Sequence, residues 1–162
     1  MNALGVVMWI AAIPMIVIFA VFINEVALGL FPLGSKPGAE RVPHRIAILI
    51  PAHNEASGIA QMLSRVRGIL PPQAAILVVA DNCSDDTAGQ ARTAGVEVIE
   101  RSDTRRRGKG FALDFGRSHL ASAPPDCVMI LDADCIPDPG TIECLAAVAL
   151  ECRRPVQSVN LM

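Results

Sequence analysis

Several absences narrow the functions open to this chain. It has no tyrosine and one tryptophan, and aromatic residues make up only 4% of its 162 positions, so it lacks the rings on which nucleic-acid bases stack. A net charge of −2 offers no basic surface for a phosphate backbone. The five cysteines are odd in number and contain no Cys-x-x-Cys pair, so neither a disulfide framework nor a zinc site is indicated. We therefore expect no nucleic-acid partner.

A long segment without charge lies near the amino terminus. Gly5 to Ile23 is 19 residues without a charged side chain, and as a helix it would cover about 28 Å, close to the hydrocarbon thickness of a bilayer. A cleaved signal peptide is the alternative, but it would have a basic start and a shorter apolar core. Residues 1–31 are therefore predicted to be a transmembrane anchor.

Basic residues follow this segment and none precedes it. Lys36, Arg41 and Arg45 come soon after it, and the positive-inside rule then predicts that the rest of the chain faces the cytoplasm. The expected localisation is the inner or plasma membrane, with a single pass. Residues 32–44, which contain Pro and Gly, read as a linker, and residues 45–162 as the domain.

The domain alternates short apolar runs with stretches of helical periodicity. Strands are predicted over residues 46–50, 76–80, 96–99 and 127–131, with one more starting over 156–161. Helices are predicted over residues 56–69, 86–93, 111–121 and from about 140 to 155. Strands and helices that alternate at this length predict an α/β fold with a mostly parallel sheet and flanking helices.

Two carboxylates follow the strand that begins at Cys127. Val128 to Leu131 is apolar, and Asp132 and Asp134 come directly after it, at the carboxyl edge where open α/β sheets bind ligands. Two buried carboxylates repel each other unless a cation meets them, and hard oxygen ligands suit Mg²⁺ or Mn²⁺. The alternative is a strand end with two solvated side chains.

Polar clusters also follow the earlier strands. Residues 53–55 read His-Asn-Glu, and residues 81–86 read Asp-Asn-Cys-Ser-Asp-Asp. Asp85 and Asp86 would cap the short helix that follows, and His53 is expected to serve the turn. Residues 105–109 form the one dense basic cluster, either a solvated loop or a surface that faces phosphates. Repetition of such clusters at successive strand ends predicts a ligand crevice.

Four phrases, in order and spacing, resemble the nucleotide-sugar half of family 2 glycosyltransferases. They are Ile-Pro-Ala-His-Asn-Glu at 50–55, Val-Ala-Asp-Asn-Cys-Ser-Asp-Asp-Thr at 79–87, Arg-Gly-Lys-Gly-Phe-Ala-Leu at 107–113 and Leu-Asp-Ala-Asp at 131–134. The resemblance implies a GT-A fold, similar to a Rossmann fold, and an inverting, metal-dependent hexosyltransferase. Relatives with a similar second phrase are often membrane-anchored, processive or cellulose-synthase-like enzymes of polysaccharide biosynthesis.

The resemblance also implies roles for individual residues. Asp81 would contact the base of the nucleotide, although Ala80 stands where many members have another Asp. Lys109 would lie near the diphosphate or the sugar, Asp132 near the ribose and the metal, and Asp134 would bind the metal, Mg²⁺ or Mn²⁺. The nucleoside pocket would be lined by Pro51, Ala52, Asn54 and Glu55. The implied partners are a nucleoside-diphosphate sugar, UDP-sugar first, and a saccharide or lipid acceptor at the membrane.

The acceptor side of such an enzyme is not recognisable here. The only Trp is Trp9, so the Gln-x-x-Arg-Trp phrase of processive members is absent, and the catalytic base is expected beyond Met162. The chain thus reads as an amino-terminal part that binds donor without transferring sugar. The alternatives are a membrane-tethered nucleotide-sugar-binding fragment without turnover and a haloacid-dehalogenase-like phosphatase, which usually has a hydroxyl residue where Ile136 stands. Sugar nucleotidyltransferases would need a Gly-rich loop after Ile50.

Overall fold

The computed structural model describes residues 3–29 and 45–158. The chain divides into two compact units, Met1–Lys36 and Pro37–Met162. The first unit contains one helix, α1 (Ala3–Gly29). The second contains strands β1 (Ile46–Ala52), β2 (Ala74–Asp81), β3 (Glu97–Arg101) and β4 (Cys127–Ile130), with helices α2 (Ile59–Arg67), α3 (Thr87–Thr93), α4 (Lys109–Leu120) and α5 (Thr141–Cys152).

The amino-terminal helix corrects one expectation from the sequence. A membrane span needs roughly 20 predominantly apolar residues in one helix, and among the residues that the structure describes no helix meets the requirements of length and hydropathy for crossing a membrane. The predicted localisation, a single-pass protein of the inner or plasma membrane with its domain in the cytoplasm, is therefore wrong. The count of uncharged residues from Gly5 to Ile23 was not sufficient evidence for a span.

The four strands form one parallel sheet in the order β3-β2-β1-β4. β1 is central and pairs with β2 along its whole length and with β4 from Ile46 to Leu49. The chain thus builds outward in one direction through β2 and β3 and then returns to the other side of β1 with β4. Open α/β sheets bind ligands where the strand order reverses in this way, which here is between β1 and β4.

The predicted elements are present, with boundaries that move by a few residues. β1 continues through Pro51 to Ala52, and α4 begins at Lys109 rather than at Phe111. The exception is the further strand predicted over residues 156–161: residues 156–158 have no regular secondary structure, and residues 159–162 lie outside the described part. The α/β fold with a parallel sheet and flanking helices is confirmed.

Apolar side chains cover both faces of the sheet. On one face, Ile48 and Ile50 pack with Leu63 of α2, and α5 contributes Ile142. On the other face, Leu49 and Val79 pack with Ala112 of α4. Successive residues of β1 therefore point to opposite layers, as expected for a strand buried on both sides.

Helix α4 lies unusually close to the sheet at Gly116. A Cβ atom there would be 2.4 Å from Cδ1 of Leu49 and 3.0 Å from Cγ2 of Val79. Only glycine leaves room for this approach. Because Lys109 is the first residue of α4, the depth at which the helix packs also determines where Lys109 lies.

Candidate functional site

A cleft of about 560 Å³ opens at the carboxyl edge of the sheet. We call residues 53–56, 81–87 and 101–106 the β2 wall and residues 131–138 the β4 wall. The amino-terminal end of α4 lies at the same cleft. The residues that line the cleft are Pro51, Ala52, His53, Glu55, Asp81, Asn82, Arg107, Gly108, Lys109, Ala112, Asp132, Ala133 and Asp134. Every polar cluster singled out in the sequence thus contributes to one cavity.

Asn54 holds the turn after β1 in place and does not itself line the cleft. It has a φ of 58°, a left-handed conformation that Asn tolerates better than most residues. Its Oδ1 accepts a hydrogen bond from the backbone N–H of Ser84 at 2.7 Å, and the Ser84 hydroxyl donates at 3.2 Å. Asn54 therefore joins the end of β1 to the loop after β2, and it is absent from the residues that line the cavity.

Two more contacts fasten the same loops together. The N–H of Glu55 donates to Oγ1 of Thr87 at 2.8 Å, and the N–H of Ala56 donates to Oδ2 of Asp85 at 3.0 Å. Asp85 also accepts hydrogen bonds from the hydroxyl and the N–H of Thr87. The Thr87 hydroxyl and these backbone donors lower the pKa of Asp85 below its usual value. The N-cap residue of the short helix is Asp86, whose side chain makes no cap hydrogen bond. Of the two residues predicted to cap this helix, only Asp85 accepts from its first backbone N–H, that of Thr87.

His53 uses its ring to hold the turn. Its Nδ1 lies 2.7 Å from the carbonyl oxygen of Asp81. A carbonyl oxygen only accepts, so Nδ1 carries the proton and donates. The ring also lines the cleft. The turn role expected for His53 thus comes from its side chain, which ties the ends of β1 and β2.

Asp81 lies at the floor of the cleft in an ion pair with Arg101. Its Oδ1 accepts from Nη1 of Arg101 at 2.6 Å and from Nδ2 of Asn82 at 2.9 Å. The two ion-pair side chains are only 7% and 9% exposed. The pairing of Asp81 with Arg101 was not predicted from the sequence. The available signal was an opposite charge at the ends of two strands, which the structure shows to be register partners.

The basic cluster separates into two parts. Oδ1 of Asp103 accepts from the N–H groups of Arg105 and Arg106 at 2.9 and 3.0 Å, and these two donors hold the pKa of Asp103 below its usual value. The side chains of Arg105 and Arg106 are exposed, while Arg107 lines the cleft. Arg107 and Lys109 therefore line the cleft, while Arg105 and Arg106 do not, and a phosphate-facing role for the cluster stays a prediction.

Gly108 shapes the entry into α4. It has a φ of 112°, which L side chains rarely adopt. Phe111 and Ala112 donate their N–H groups to its carbonyl oxygen, so the first turn of α4 begins there. The amino-terminal end of a helix presents free N–H groups and a partial positive charge, which favour anions. Lys109 adds a full charge at the same point.

Asp132 and Asp134 follow β4 on the opposite wall. The Nζ of Lys109 forms an ion pair with Oδ1 of Asp132, and both side chains are about half exposed, at 53% and 50%. Asp134 lies at the cleft and is exposed. Among the described residues no group of three or more His, Cys, Asp or Glu side chains could hold a metal. Two carboxylates with open positions nevertheless fit Mg²⁺ or Mn²⁺, which often take one or two carboxylates and complete their shell with water and phosphate.

Cys135 lies next to Asp134 and has an exposed thiol. Loss of hydration raises the pKa of its thiol, and the neighbouring Asp134 and Asp132 carboxylates raise it further. A thiol must ionise to act as a nucleophile. The charge chemistry of the β4 wall therefore rests on the two carboxylates.

Comparison with known proteins decides the family. The sequence profile described as glycosyl transferase family 2 matches residues 47–156, which is more than half of the chain and covers all four phrases. The chain belongs to glycosyltransferase family 2. No curated protein matches it in sequence.

Solved structures resemble this chain over part of their length, and those with TM-scores of 0.63 and 0.54 share its fold. A mannosyltransferase from Pyrobaculum calidifontis, solved with GDP-Man and Mn²⁺, superposes with a TM-score of 0.63 at 23% identity, over 81% of this chain and 39% of that one. A mycobacterial protein gives 0.54 at 28% identity, over 67% and 37%. Glucosyl-3-phosphoglycerate synthase from Mycobacterium tuberculosis, solved with Mn²⁺, UDP and phosphoglyceric acid, gives 0.48 at 30% identity, over 59% and 35%.

Two further facts come from these structures: the share of each protein that this chain covers and the cation that accompanies the nucleotide. The chain spans between 35% and 39% of the length of the three proteins. The mannosyltransferase structure contains Mn²⁺ beside GDP-Man, a divalent cation of the class expected from the sequence of this chain. Which residues of this chain contact base, diphosphate and metal stays a prediction.

Proposed function

We propose that this chain binds a nucleoside-diphosphate sugar for an inverting, metal-dependent transfer to an acceptor hydroxyl. One observation carries the proposal. A single cleft at the reversal point of the strand order combines a carboxylate pair, a lysine at a helix amino terminus and a polar floor built around Asp81. A diphosphate is bound by positively charged groups and by a metal ion, which in turn needs carboxylate ligands. The nucleoside needs polar partners.

The nucleoside would occupy the β2 wall. Asp81 accepts hydrogen bonds and lies at the cleft with Pro51, Ala52 and Glu55, so it can receive an N–H of a base. The wall is held in place by hydrogen bonds before any ligand arrives, which reduces the entropy cost of binding. The side-chain oxygen of Asn54 accepts a hydrogen bond from Ser84 of the same wall, so it is not free to bind the nucleoside. Its proposed role is therefore to shape the pocket.

The diphosphate would lie between the amino-terminal end of α4 and the β4 wall. Arg107 and Lys109 line the cleft on the α4 side, and cations there stabilise the charge that grows on a departing diphosphate. Asp132 and Asp134 would hold Mg²⁺ or Mn²⁺, and Lys109 would turn from Asp132 toward the phosphates. When bound, the cation supplies charge neutralisation at the leaving group.

Turnover by these residues alone is a separate question. The acidic side chains lining the described cleft are Glu55, Asp81, Asp132 and Asp134. All four lie where the donor and its metal are proposed to bind, so none of them is assigned as the general base for the acceptor hydroxyl. We therefore propose donor binding without robust sugar transfer.

Calorimetric titration of the purified chain with UDP and with GDP, each with Mn²⁺ or with EDTA, tests the donor site. We expect UDP to bind in Mn²⁺ and to lose at least about tenfold in affinity with EDTA, which removes the cation. Asp134→Asn should reproduce the loss, because each carboxylate offsets the cation's lost hydration. Asp138→Asn is the matched control, since Asp138 is exposed and does not line the cleft.

The outcomes separate the possibilities. Equal binding with and without Mn²⁺, or undiminished binding in Asp134→Asn, would reject the metal assignment. Absence of binding for both nucleotides would reject the donor site. One further result would overturn the proposal of donor binding without robust sugar transfer. It is transfer of labelled sugar from UDP-glucose to an added acceptor that is abolished in Asp134→Asn.

A further inference from the structure

Arg101 occupies a position that the donor site does not by itself explain. It is the last residue of β3 and the register partner of Asp81, with a side chain only 9% exposed. Burial of a guanidinium has a large desolvation cost unless its donors are satisfied. Arg101 does not line the cleft, so any effect on a ligand must pass through its neighbours.

The contacts of Arg101 join four structural elements. Its Nη1 donates to Oδ1 of Asp81 at 2.6 Å, and its Nη2 donates to Oδ2 of Asp103 at 3.2 Å. The guanidinium carbon lies 5.7 Å from the centre of the Phe111 ring, in the first turn of α4. A planar fork that engages two carboxylates and covers a ring is a geometry that lysine cannot reproduce.

Asn82 closes the network into a ring. Its N–H donates to the carbonyl oxygen of Arg101 at 2.7 Å, and its Oδ1 accepts from the N–H of Asp103 at 2.7 Å. Its Nδ2 donates to the same Oδ1 of Asp81 that Arg101 engages. Each of the four residues thus contacts at least two others, and the Asp81 carboxylate has little freedom to rotate.

The two side-chain donors on Asp81 share one oxygen. Both Arg101 and Asn82 engage Oδ1, while Asp81 lines the cleft. We propose that Arg101 is a positioning residue for nucleoside recognition, which anchors Oδ1 so that Oδ2 of Asp81 accepts an N–H of the base. This inference rests on the donor site proposed above.

Selectivity for the base provides the test, because a merely structural role would not change it. UDP and N3-methyl-UDP are titrated in Mn²⁺ against the full chain. The methylated base lacks the N–H that Asp81 would accept, so wild-type protein should bind UDP roughly tenfold or more tightly than N3-methyl-UDP, as expected for one hydrogen bond to a charged group. Arg101→Met should lose about tenfold in UDP affinity and change N3-methyl-UDP affinity by less than about threefold, which brings the two values together.

Arg92→Met is the matched control. Arg92 forms an ion pair with Glu100, immediately before Arg101, but both side chains are more than half exposed. The Arg92→Met variant removes an exposed guanidinium rather than a buried one, and it should leave the selectivity unchanged. Arg101→Lys retains the charge without the fork, so its selectivity should fall between those of wild type and Arg101→Met.

Each outcome supports or rejects the inference. Selectivity that is unchanged in Arg101→Met, or equal losses for both ligands, would overturn it while leaving the donor site standing. If circular dichroism shows Arg101→Met to be unfolded, Arg101→Lys decides, and wild-type selectivity in that variant would overturn the inference. If the wild-type chain binds neither ligand in Mn²⁺, the donor site fails and the inference fails with it.

Discussion

The two walls of the cleft use different means to hold their side chains. In the β2 wall, side chains of one loop bind the backbone of another, as Asn54 does with Ser84 and Thr87 with Glu55. In the β4 wall, Leu131 bonds to Leu49 and Cys135 to Asp132 through the backbone, and Lys109 reaches Asp132 through a half-exposed ion pair. Half-exposed ion pairs hold a geometry only weakly.

This difference assigns separate tasks to the walls. A nucleoside is recognised by hydrogen bonds whose geometry must exist before binding, and the β2 wall has that order in advance. A metal ion imposes its own geometry on carboxylates and brings water and phosphate with it. The β4 wall can therefore be completed by its ligand, and the following predictions test the contrast.

The largest effect is expected at Asn54. Asn54→Ala should lower the free energy of unfolding by about 2 kcal/mol, because it loses the hydrogen bonds from Ser84 and places an unsuited residue at positive φ. Asn54→Gly keeps the backbone freedom and should lose only the hydrogen-bond part. Urea unfolding followed by circular dichroism measures both. Asp138→Ala, on the β4 wall, should change stability by less than about 0.5 kcal/mol, and equal losses in the two walls would contradict the comparison.

The next effect concerns the depth of α4. Gly116→Ala should lower the free energy of unfolding by about 1–2 kcal/mol, since the added methyl meets Leu49 and Val79 and overpacking outweighs the gain in helix propensity. Because α4 carries Lys109, UDP affinity should fall as well. The same urea titration and calorimetry measure the two quantities. A more stable variant would show that the helix moves outward without cost.

Lys109 should matter for ligand and hardly for stability. Lys109→Met is expected to change the free energy of unfolding by less than about 0.5 kcal/mol, as for an exposed ion pair, and to weaken UDP binding several-fold. Mn²⁺ alone should bind at least as tightly, because Asp132 loses a competing cation; paramagnetic resonance of free Mn²⁺ measures this. Arg117→Met, which removes an exposed pair with Asp114 on the same helix, is the control. Weaker Mn²⁺ binding in Lys109→Met would contradict the exchange of partners.

The smallest effect is expected from acid. Asp85 and Asp103 have lowered pKa values in the folded chain, so in the unfolded chain they take up protons first. Their contribution to stability is complete above the unfolded value of about 4 and is lost as pH falls through the lower folded values. The unfolding midpoint in urea should therefore decrease below pH ~4, and less steeply in Asp85→Asn than in Asp138→Asn. Identical slopes in the two variants would reject this contribution.

Much of the fold could be predicted because its signals are local. Ile59, Met62, Leu63 and Val66 recur at helical spacing, and all four are buried in α2. Asp132 and Asp134 follow directly on an apolar run, and they line the cleft as expected. The membrane localisation was wrong because a run of uncharged residues does not by itself establish a membrane span, and no described helix meets the requirements for one.

Contacts across the sheet were less accessible. Asp81 and Arg101 lie 20 positions apart, and their pairing depends on β2 and β3 being neighbours in one particular register. The contact of the Asn54 side-chain oxygen with Ser84 was likewise not predicted from the sequence, and the place of Asn54 in the nucleoside pocket stays a prediction. Arg107 reaches the cleft while Arg105 does not, which depends on the turn that Asp103 caps.

The amino-acid sequence was sufficient to predict the alternation of strands and helices and the polar residues that follow each strand, because periodicity and strand termination depend on near neighbours in the chain. Four phrases in order also indicated the family. The pairing of Arg101 with Asp81 and of Lys109 with Asp132 became visible only in the folded chain. Those facts depend on strand order, register and the close approach of α4 at Gly116, which bring together residues that are distant in the chain.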